Sequence, residues 1–327
     1  MSKRVLVAGA AGFIGSHLCD YLLDRGHQVV ALDSLVTGRR SNLDSAIARG
    51  AEFVKADLTQ PLPTEGPLAG PFDQIYNLAS PASPVDFKKM PVFILETASV
   101  GHKALLELGL RKNARVLFAS TSEVYGDPEV HPQVETYFGN VNPIGMRSCY
   151  DEAKRYGEAL TMAYHRHQDA NTCIARIFNT YGPRMRPDDG RIIPNFFIQA
   201  LQKQPLTIYG EGNQTRSFCY VSDLVDGLSR LMNSNEAEPV NIGNPLEKTV
   251  LEIADEVNRL TGNTAGIKRL PLPENDPKLR RPDTTRAKTR LGWEPRVELA
   301  TGLKSCHDYF LEELRKNPQG IVAPTVS

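Results

Sequence analysis

Three glycines set three residues apart, Gly9, Gly12 and Gly15, follow an apolar run, Arg4–Ala8, and open a stretch with Leu18, Tyr21 and Leu22 at helical spacing. Few folds place glycines at such a strand-to-helix junction. Gly9 makes the tight turn, Gly12 lets backbone N–H groups approach a pyrophosphate, and Gly15 allows the helix to pack closely on the strand. Phe13 and Ile14 belong to the same loop, and the helix N-terminus adds partial positive charge for phosphates. Gly26 caps the far end of the helix. The next apolar run, Gln28–Asp33, ends in a carboxylate 18 residues after Gly15. A carboxylate there accepts hydrogen bonds from the adenosine ribose and repels a 2′-phosphate, which predicts NAD rather than NADP. Arg39 and Arg40, in the following loop, temper that preference.

The alternation continues. Glu52–Asp57, Gln74–Ala79, Arg115–Ser120 and Thr172–Ile177 read as further buried strands, and Ser16–Arg25 and Asp151–His167 as helices. Ala153, Tyr156, Ala159, Leu160 and Ala163 are expected on the inner face of the second helix. Strands alternating with helices imply a parallel sheet covered on both faces. The expected fold is therefore α/β, a Rossmann-type doubly wound parallel sheet over residues 1–182. Beyond Gly182 prolines and longer connections appear, with helices at Ile193–Lys203, Asp223–Met232, Val250–Thr261 and Leu303–Leu314. Ile208–Tyr209 and Val240–Gly243 read as short strands. Residues 183–315 are expected to form mainly a smaller α/β substrate domain, with segments returning to the sheet, and 316–327 a tail.

Composition narrows the function by exclusion. With 38 basic and 38 acidic residues the net charge is zero, so no electrostatic footprint for nucleic acid or an anionic membrane exists. No apolar run approaches the roughly 18 residues of a membrane span. A cytoplasmic protein is expected, or a catalytic portion without an anchor. The 5 cysteines are widely spaced, as in a reducing compartment. His165 and His167 face different sides of a helix, a poor metal pair, and no metal is expected.

Tyr150 and Lys154 stand one helical turn apart on one face. A phenol of pKa about 10 serves as a base at pH 7 only if lowered by about three units, roughly 4 kcal/mol. The Lys154 cation and a positive nicotinamide ring are candidates to supply it. Thr121 and Ser122 end the strand Arg115–Ser120, where ligands bind in such sheets, and one of them is expected to hydrogen-bond the reacting hydroxyl.

The glycine spacing, with Tyr150 and Lys154, resembles the short-chain dehydrogenase/reductase superfamily. In that likeness Asp57 and Leu58 correspond to an adenine-edge contact, and Leu78, Ala79 and Ser80 to the nicotinamide-side loop; Thr97 joins the cofactor residues. A closer resemblance rests on Leu78–Pro84 (LASPASP), Ser120–Gln133 (STSEVYGDPEVHPQ), Cys149–Arg155 (CYDEAKR), Ala175–Met185 (ARIFNTYGPRM) and Pro205–Phe218 (PLTIYGEGNQTRSF). Tyr220–Leu224, Val240–Pro245, Arg280–Asp283 (RRPD) and Leu291–Pro295 (LGWEP) extend it. Over Arg4–Leu314 the chain resembles the UDP-glucuronic acid decarboxylase family, also called UDP-xylose synthases.

That resemblance implies an enzyme in which Tyr150 removes the C4 hydroxyl proton while C4 hydride passes to NAD. The 4-keto sugar is a β-keto acid and loses carbon dioxide; Thr121 or Ser122, with Tyr150, stabilises the enolate. Proton return to C5 and hydride return to C4 give UDP-xylose and restore the cofactor. Related 4,6-dehydratases carry an acid where this chain has Ser122. Glu123 is left with three possible tasks: positioning the ring, handling the C5 proton, or destabilising the substrate carboxylate. Arg280 matches the arginine at the carboxylate end. Pro84, Asn179, Arg191, Tyr209, Gln214 and Arg216 correspond to contacts of the nucleotide-sugar, Arg216 through its phosphate-matching fork. Glu96-Thr97-Ala98 replaces the family's Lys-Thr-Asn, so Glu96 stands for a cation near the sugar carboxylate and Ala98 lacks a tethering amide. The Pro- and Gly-rich segment Gln60–Pro71 is expected as a loop at the rim. A homodimer through helices around Gly101–Leu110 and Ala153–His167 is also implied. The competing readings are a UDP-glucuronate 4-epimerase, a UDP-apiose/UDP-xylose synthase and, from another class, a non-catalytic NAD-binding sensor.

Overall fold

In the computed structural model, residues 1–271, 280–317 and 321–324 are described. Residues 318–320 and 325–327 of the expected tail lie outside them. Strands β1 (Arg4–Ala8), β2 (Gln28–Asp33), β3 (Glu52–Lys55), β4 (Gln74–Asn77), β5 (Arg115–Thr121) and β6 (Thr172–Ile177) form a parallel sheet. The strand Val240–Ile242 joins β6, also in parallel. The spatial order is Val240–Ile242, β6, β5, β4, β1, β2, β3. Between β1 and β4 the order reverses, which opens a crevice at the carboxyl ends of the strands.

Alternate residues explain why the sheet is buried on both faces. Val5, Val7, Val29, Ala31 and Leu117 enter one core with Leu18, Leu22, Leu224 and Leu228. Leu6, Ala8, Val30, Leu32 and Val116 enter the opposite core with Leu105, Leu106 and Tyr164. A strand apolar on both faces needs helices on both, and α1 (Phe13–Asp24), α2 (Asp44–Ala48), α5 (His102–Lys112) and α6 (Ser148–Gln168) are among those that cover it. Between α2 and α5 lie α3 (Pro84–Lys89) and α4 (Pro91–Glu96). A π-helical turn, Thr97–Gly101, carries α4 into α5 without leaving helical backbone.

The later helices α7 (Ile192–Leu201), α9 (Val250–Thr261) and α11 (Leu299–Lys316) share a separate core around Phe196, Phe197, Val257 and Phe310. The helix α8 (Val221–Met232) instead packs on the sheet, and α10 (Thr285–Leu291) contributes Ala287 to that core. No helix among the described residues is long and apolar enough to cross a membrane.

Two expectations are corrected here. Helix α6 begins earlier, at Ser148, and its inward stripe is Tyr150, Ala153, Lys154, Gly157, Thr161 and Tyr164. Tyr156, Ala159 and Ala163 face outward instead. Apolar spacing alone had rotated the helix, because Lys154, bonded to Ala119 of β5, and Thr161, bonded to His102 of α5, are polar yet buried. The segment Gln60–Pro71 is a loop, but it does not border the cleft: Leu62 and Leu68 turn into the core behind the sheet.

Candidate active site

The glycine loop keeps its shape for steric reasons. Gly9 has φ +78°, and a Cβ there would lie 2.7 Å from the Leu78 carbonyl carbon. A Cβ on Gly15 would stand 2.1 Å from the Gly9 oxygen, so only glycine lets α1 start so close to β1. The loop forms a common wall for two hollows that share Gly9, Gly12, Thr37, Leu78 and Ser80. The smaller, about 520 Å³, is lined by Asp33, Asp57, Leu58, Ala79 and Thr97. The larger is an open cleft of about 2230 Å³. Phe13, Ile14, Gly15, Pro84, Thr121, Ser122, Glu123, Tyr150, Lys154, Asn179, Arg191, Tyr209, Gln214, Arg216 and Arg280 line it. Every expected site residue thus borders one hollow or the other.

The adenosine end fits a dinucleotide. Asp33 accepts N–H bonds from Ala11 (2.9 Å) and Leu35 (2.7 Å), which hold its carboxylate at the wall. Burial raises its pKa, against those amides. Arg39 pairs with Glu313 and Arg40 with Asp44, each at 2.8 Å, so both guanidinium groups that tempered the NAD reading are engaged elsewhere. Asn77 accepts from the Ala79 N–H at 3.2 Å and shapes the Leu78–Ser80 loop. His102, fully buried, steadies Asn77 from behind, and burial drops its imidazole to about 3.

At the cleft floor, Tyr150 is hydrogen-bonded to the Thr121 side chain, and Lys154 Nζ donates to the Ala119 carbonyl at 2.9 Å. Phe87 stacks on Tyr150 with ring centres 4.8 Å apart and planes at 19°. The expected lowering of the phenol by Lys154 is not met in the chain alone. Burial pushes Tyr150 up to about 12, and neighbouring Glu123 pushes the same way. Burial also lowers Lys154 to about 8. Cys149 is buried, its thiol is raised by burial, and its Sγ donates to the Phe87 carbonyl at 3.8 Å.

Glu123 carries the strongest electrostatics of the site. Arg280 grips both its oxygens, the second at 2.9 Å, and Arg147 Nη2 meets Oε2 at 2.7 Å. Burial opposes ionisation, but the two guanidinium groups overcome it and hold Glu123 at about 2. One carboxylate between two arginines leaves a net positive charge facing the cleft. Arg147 escaped the sequence reading; its place three residues before Tyr150, one turn back, was the available signal. Phe87 escaped it too, lying in a segment with no recognised chemistry. The Arg147 guanidinium sits 5.6 Å over the Phe87 ring, so Phe87 touches both Arg147 and Tyr150.

Toward the far end, Arg191 is bound to Asp189 through two nitrogens, the second contact at 2.7 Å. Gln214 donates to the Tyr209 carbonyl at 2.8 Å, and Arg216, buried, donates to the Thr215 carbonyl at 2.8 Å. The Asn179 carbonyl accepts from the Cys219 N–H at 2.9 Å, where Thr180–Tyr181 pairs with Cys219–Tyr220. Pro84 opens α3, capped by Ser83, which also bonds to the Asp189 carbonyl. Asp86 receives Arg186 at 3.0 Å, so α3 is tied twice to the loop before α7. Glu96 does not face the sugar site: it is exposed on α4. Ala98 packs in an apolar cluster with Phe87, Ile94, Cys149, Tyr150 and Ala153, where a methyl fills the space.

The description "NAD dependent epimerase/dehydratase family" fits residues 5–243 of this chain. UDP-glucuronic acid decarboxylase 1 of Danio rerio is 50% identical over 325 residues, covering 98% of this chain and 76% of that protein. UDP-glucuronic acid decarboxylase 5 of Arabidopsis thaliana is 50% identical over 311 residues, 94% of this chain and 89% of its own length. Among solved structures, the epimerase Mth375 of Methanothermobacter thermautotrophicus superposes with a TM-score of 0.90 at 30% identity, covering 98% and 95% of the two chains. A UDP-glucuronic acid 4-epimerase from Bacillus cereus, in complex with UDP-glucuronic acid and NAD, gives 0.83 at 29% identity, covering 95% and 99%. By sequence, by fold and by the residues gathered in its cleft, the chain belongs to the NAD dependent epimerase/dehydratase family, on its UDP-glucuronic acid decarboxylase branch.

Proposed function

We propose that this chain decarboxylates UDP-glucuronic acid to UDP-xylose, with NAD as a cofactor that ends each cycle as it began. The observation that carries the reading is Glu123 held between Arg147 and Arg280 in the same cleft as Tyr150 and Lys154. The cluster's net positive charge suits a sugar carboxylate, and the Tyr150–Thr121 pair suits a hydroxyl two carbons away.

Bound NAD supplies the reversible two-electron oxidation at C4, and its positive nicotinamide ring opposes the burial that raises the Tyr150 phenol. The glycine loop, Asp33, Asp57 and Leu58 are the residues that hold it. Tyr150 takes the C4 hydroxyl proton, with Thr121 rather than Ser122 as its hydrogen-bond partner. Once C4 is a ketone, the C5–carboxylate bond breaks to carbon dioxide, and its electron pair delocalises onto the C4 oxygen. Donors at that oxygen, Tyr150 and Thr121, stabilise the enolate. A proton then returns to C5, and reduction at C4 restores the hydroxyl. Glu123, held well below the usual carboxylate range by Arg147 and Arg280, positions its two arginines; it is a poor proton carrier at neutral pH. Arg191, Tyr209, Gln214 and Arg216 hold the UDP portion.

Residues 183–315 serve mainly as the substrate portion, supported by the separate core around Phe196 and Phe310. The working unit is a homodimer. Val92, Leu95 and Val100 on the α4–α5 run, and Tyr156 on α6, are exposed apolar residues on helices that touch. Tyr156→Asp should convert a dimer into a monomer by light scattering; a wild-type monomer at micromolar concentration would end that proposal.

Incubation with UDP-glucuronic acid in heavy water tests the reaction. The expected products are carbon dioxide and UDP-xylose with one deuteron at C5 and the substrate's own hydrogen at C4. UDP-galacturonic acid without carbon dioxide would replace the decarboxylase by a 4-epimerase.

A further inference from the structure

Glu123 and Arg280 are 157 residues apart in sequence, one in a single 3₁₀ turn and the other in a loop, so their fork needs an external reference. Gln133, with no exposed surface, provides a candidate. Its backbone N–H donates to the Arg281 carbonyl at 2.9 Å, and its side-chain Oε1 accepts the Arg281 N–H at 2.8 Å. Its carbonyl accepts from Asp283 N–H at 2.9 Å and from the Asn241 amide at 2.9 Å. Its side-chain Nε2 donates to the Val130 carbonyl at 2.8 Å. A single residue therefore brackets the residues immediately after Arg280, by its backbone at Arg281 and Asp283 and by its side-chain Oε1 at Arg281, while Ser217 holds the Arg280 carbonyl at 3.3 Å.

The same bonds close a ring through the other partner. Asn241, fully buried on the sheet strand Val240–Ile242, accepts from the Tyr125 hydroxyl at 2.8 Å and donates to the Asp283 carbonyl at 3.1 Å. Tyr125 ends the 3₁₀ turn Ser122–Tyr125 that carries Glu123. The path runs from Glu123 through Tyr125, Asn241 and Gln133 to the Arg281 backbone, one residue from Arg280, and returns to Glu123 through the ion pair.

We propose that Gln133 is a positioning residue for the carboxylate step: it sets the Arg280 guanidinium against Glu123, without touching substrate. The proposal rests on the decarboxylase reading and adds a residue to it. A bidentate fork tolerates little displacement, and a misplacement of about 1 Å can cost on the order of a hundredfold in rate. Oxidation at C4 depends on Tyr150, Thr121 and Lys154, none of which bonds Gln133, so the two steps should part.

The test uses Gln133→Met, which keeps length and loses both amide functions, and Gln133→Glu. The protonated form of the latter restores the donor to Val130 and the acceptor for Arg281. For Gln133→Met, carbon dioxide release should fall about 10- to 100-fold. NADH absorbance on adding UDP-glucuronic acid should persist. The preference for binding UDP-glucuronic acid over UDP-glucose should shrink, with UDP affinity unchanged. Gln133→Glu should recover activity relative to wild type as pH falls. Parallel loss of oxidation, decarboxylation and UDP binding, or an unchanged sugar preference, would overturn the proposal. A wild type that releases no carbon dioxide would overturn the decarboxylase reading instead, and the sugar-preference measurement would still decide the role of Gln133. Should Gln133→Met fail to fold, Gln133→Glu across pH decides alone: no recovery on acidification refutes the assignment.

Discussion

Asp151→Asn is a demanding test of the site's electrostatics. Asp151 follows Tyr150 in the first turn of α6, is 7% exposed, and its Oδ1 has no hydrogen-bond donor among the described residues. Burial raises its carboxyl from 3.8 to about 7; Glu123 and Glu152 add to that, while Arg147 and Arg280 oppose it. At about 1.4 kcal/mol per pH unit the gap is worth up to roughly 4 kcal/mol. Relaxation of the coupled Glu123 cluster reduces this to about 2 kcal/mol. The folded state holds the proton that the unfolded chain releases near 3.8, so the penalty is absent below that pH. It grows as pH rises and is complete above about 7. Asparagine removes the charge and with it the penalty. Thermal or urea unfolding at pH 8 should therefore show a variant more stable than wild type by about 2 kcal/mol, or about 3 °C in Tm. Near pH 4 the two should coincide. In activity, the wild-type KM for UDP-glucuronic acid should rise above pH 7, as Asp151 adds a second negative charge near Glu123, and the variant should be flat. A loss at pH 8 would show that Arg147 and Arg280 stabilise an ionised Asp151, and a gain equal at both pH values would show that the gain does not come from its charge.

Three further outcomes are expected. Tyr150→Phe should fold and bind NAD while turnover falls by roughly two to four orders of magnitude; a retained tenth of the wild-type rate would place the base elsewhere. Titration should show NAD binding more tightly than NADP, and Asp33→Ser should narrow the difference; NADP binding better to wild type would refute the ribose assignment. Arg147→Met keeps a side chain over Phe87 but removes one of the two cations on Glu123. KM for UDP-glucuronic acid should rise about tenfold, close to 1.4 kcal/mol, with UDP affinity unchanged, and an unaltered KM would remove Arg147 from carboxylate recognition.

Much of this protein was determined by local sequence. The strands Arg4–Ala8, Gln28–Asp33 and Thr172–Ile177 and the helix Val250–Thr261 stand where the apolar period and end signals put them. Both features act over a few residues, so neighbours suffice to read them. Gly9 and Gly15 were legible for the same reason: a positive φ and a backbone-to-backbone approach each demand glycine whatever lies beyond. The cleft's membership was legible through motifs, each a short run whose spacing records one turn of chain.

Only the tertiary structure decided the state of those groups. Arg39 and Arg40 lost their bearing on the cofactor because Glu313 and Asp44 claimed them. Tyr156, Ala159 and Ala163 turned outward because Lys154 and Thr161 were drawn inward by partners on other elements. Glu123 is held in its ionised form because Arg147, 24 residues along, and Arg280, from far along the chain, meet at one point. The energy of a buried charge is set by distances to groups remote in sequence and by the water they exclude. A linear chain states which charges exist, and folding decides which of them meet.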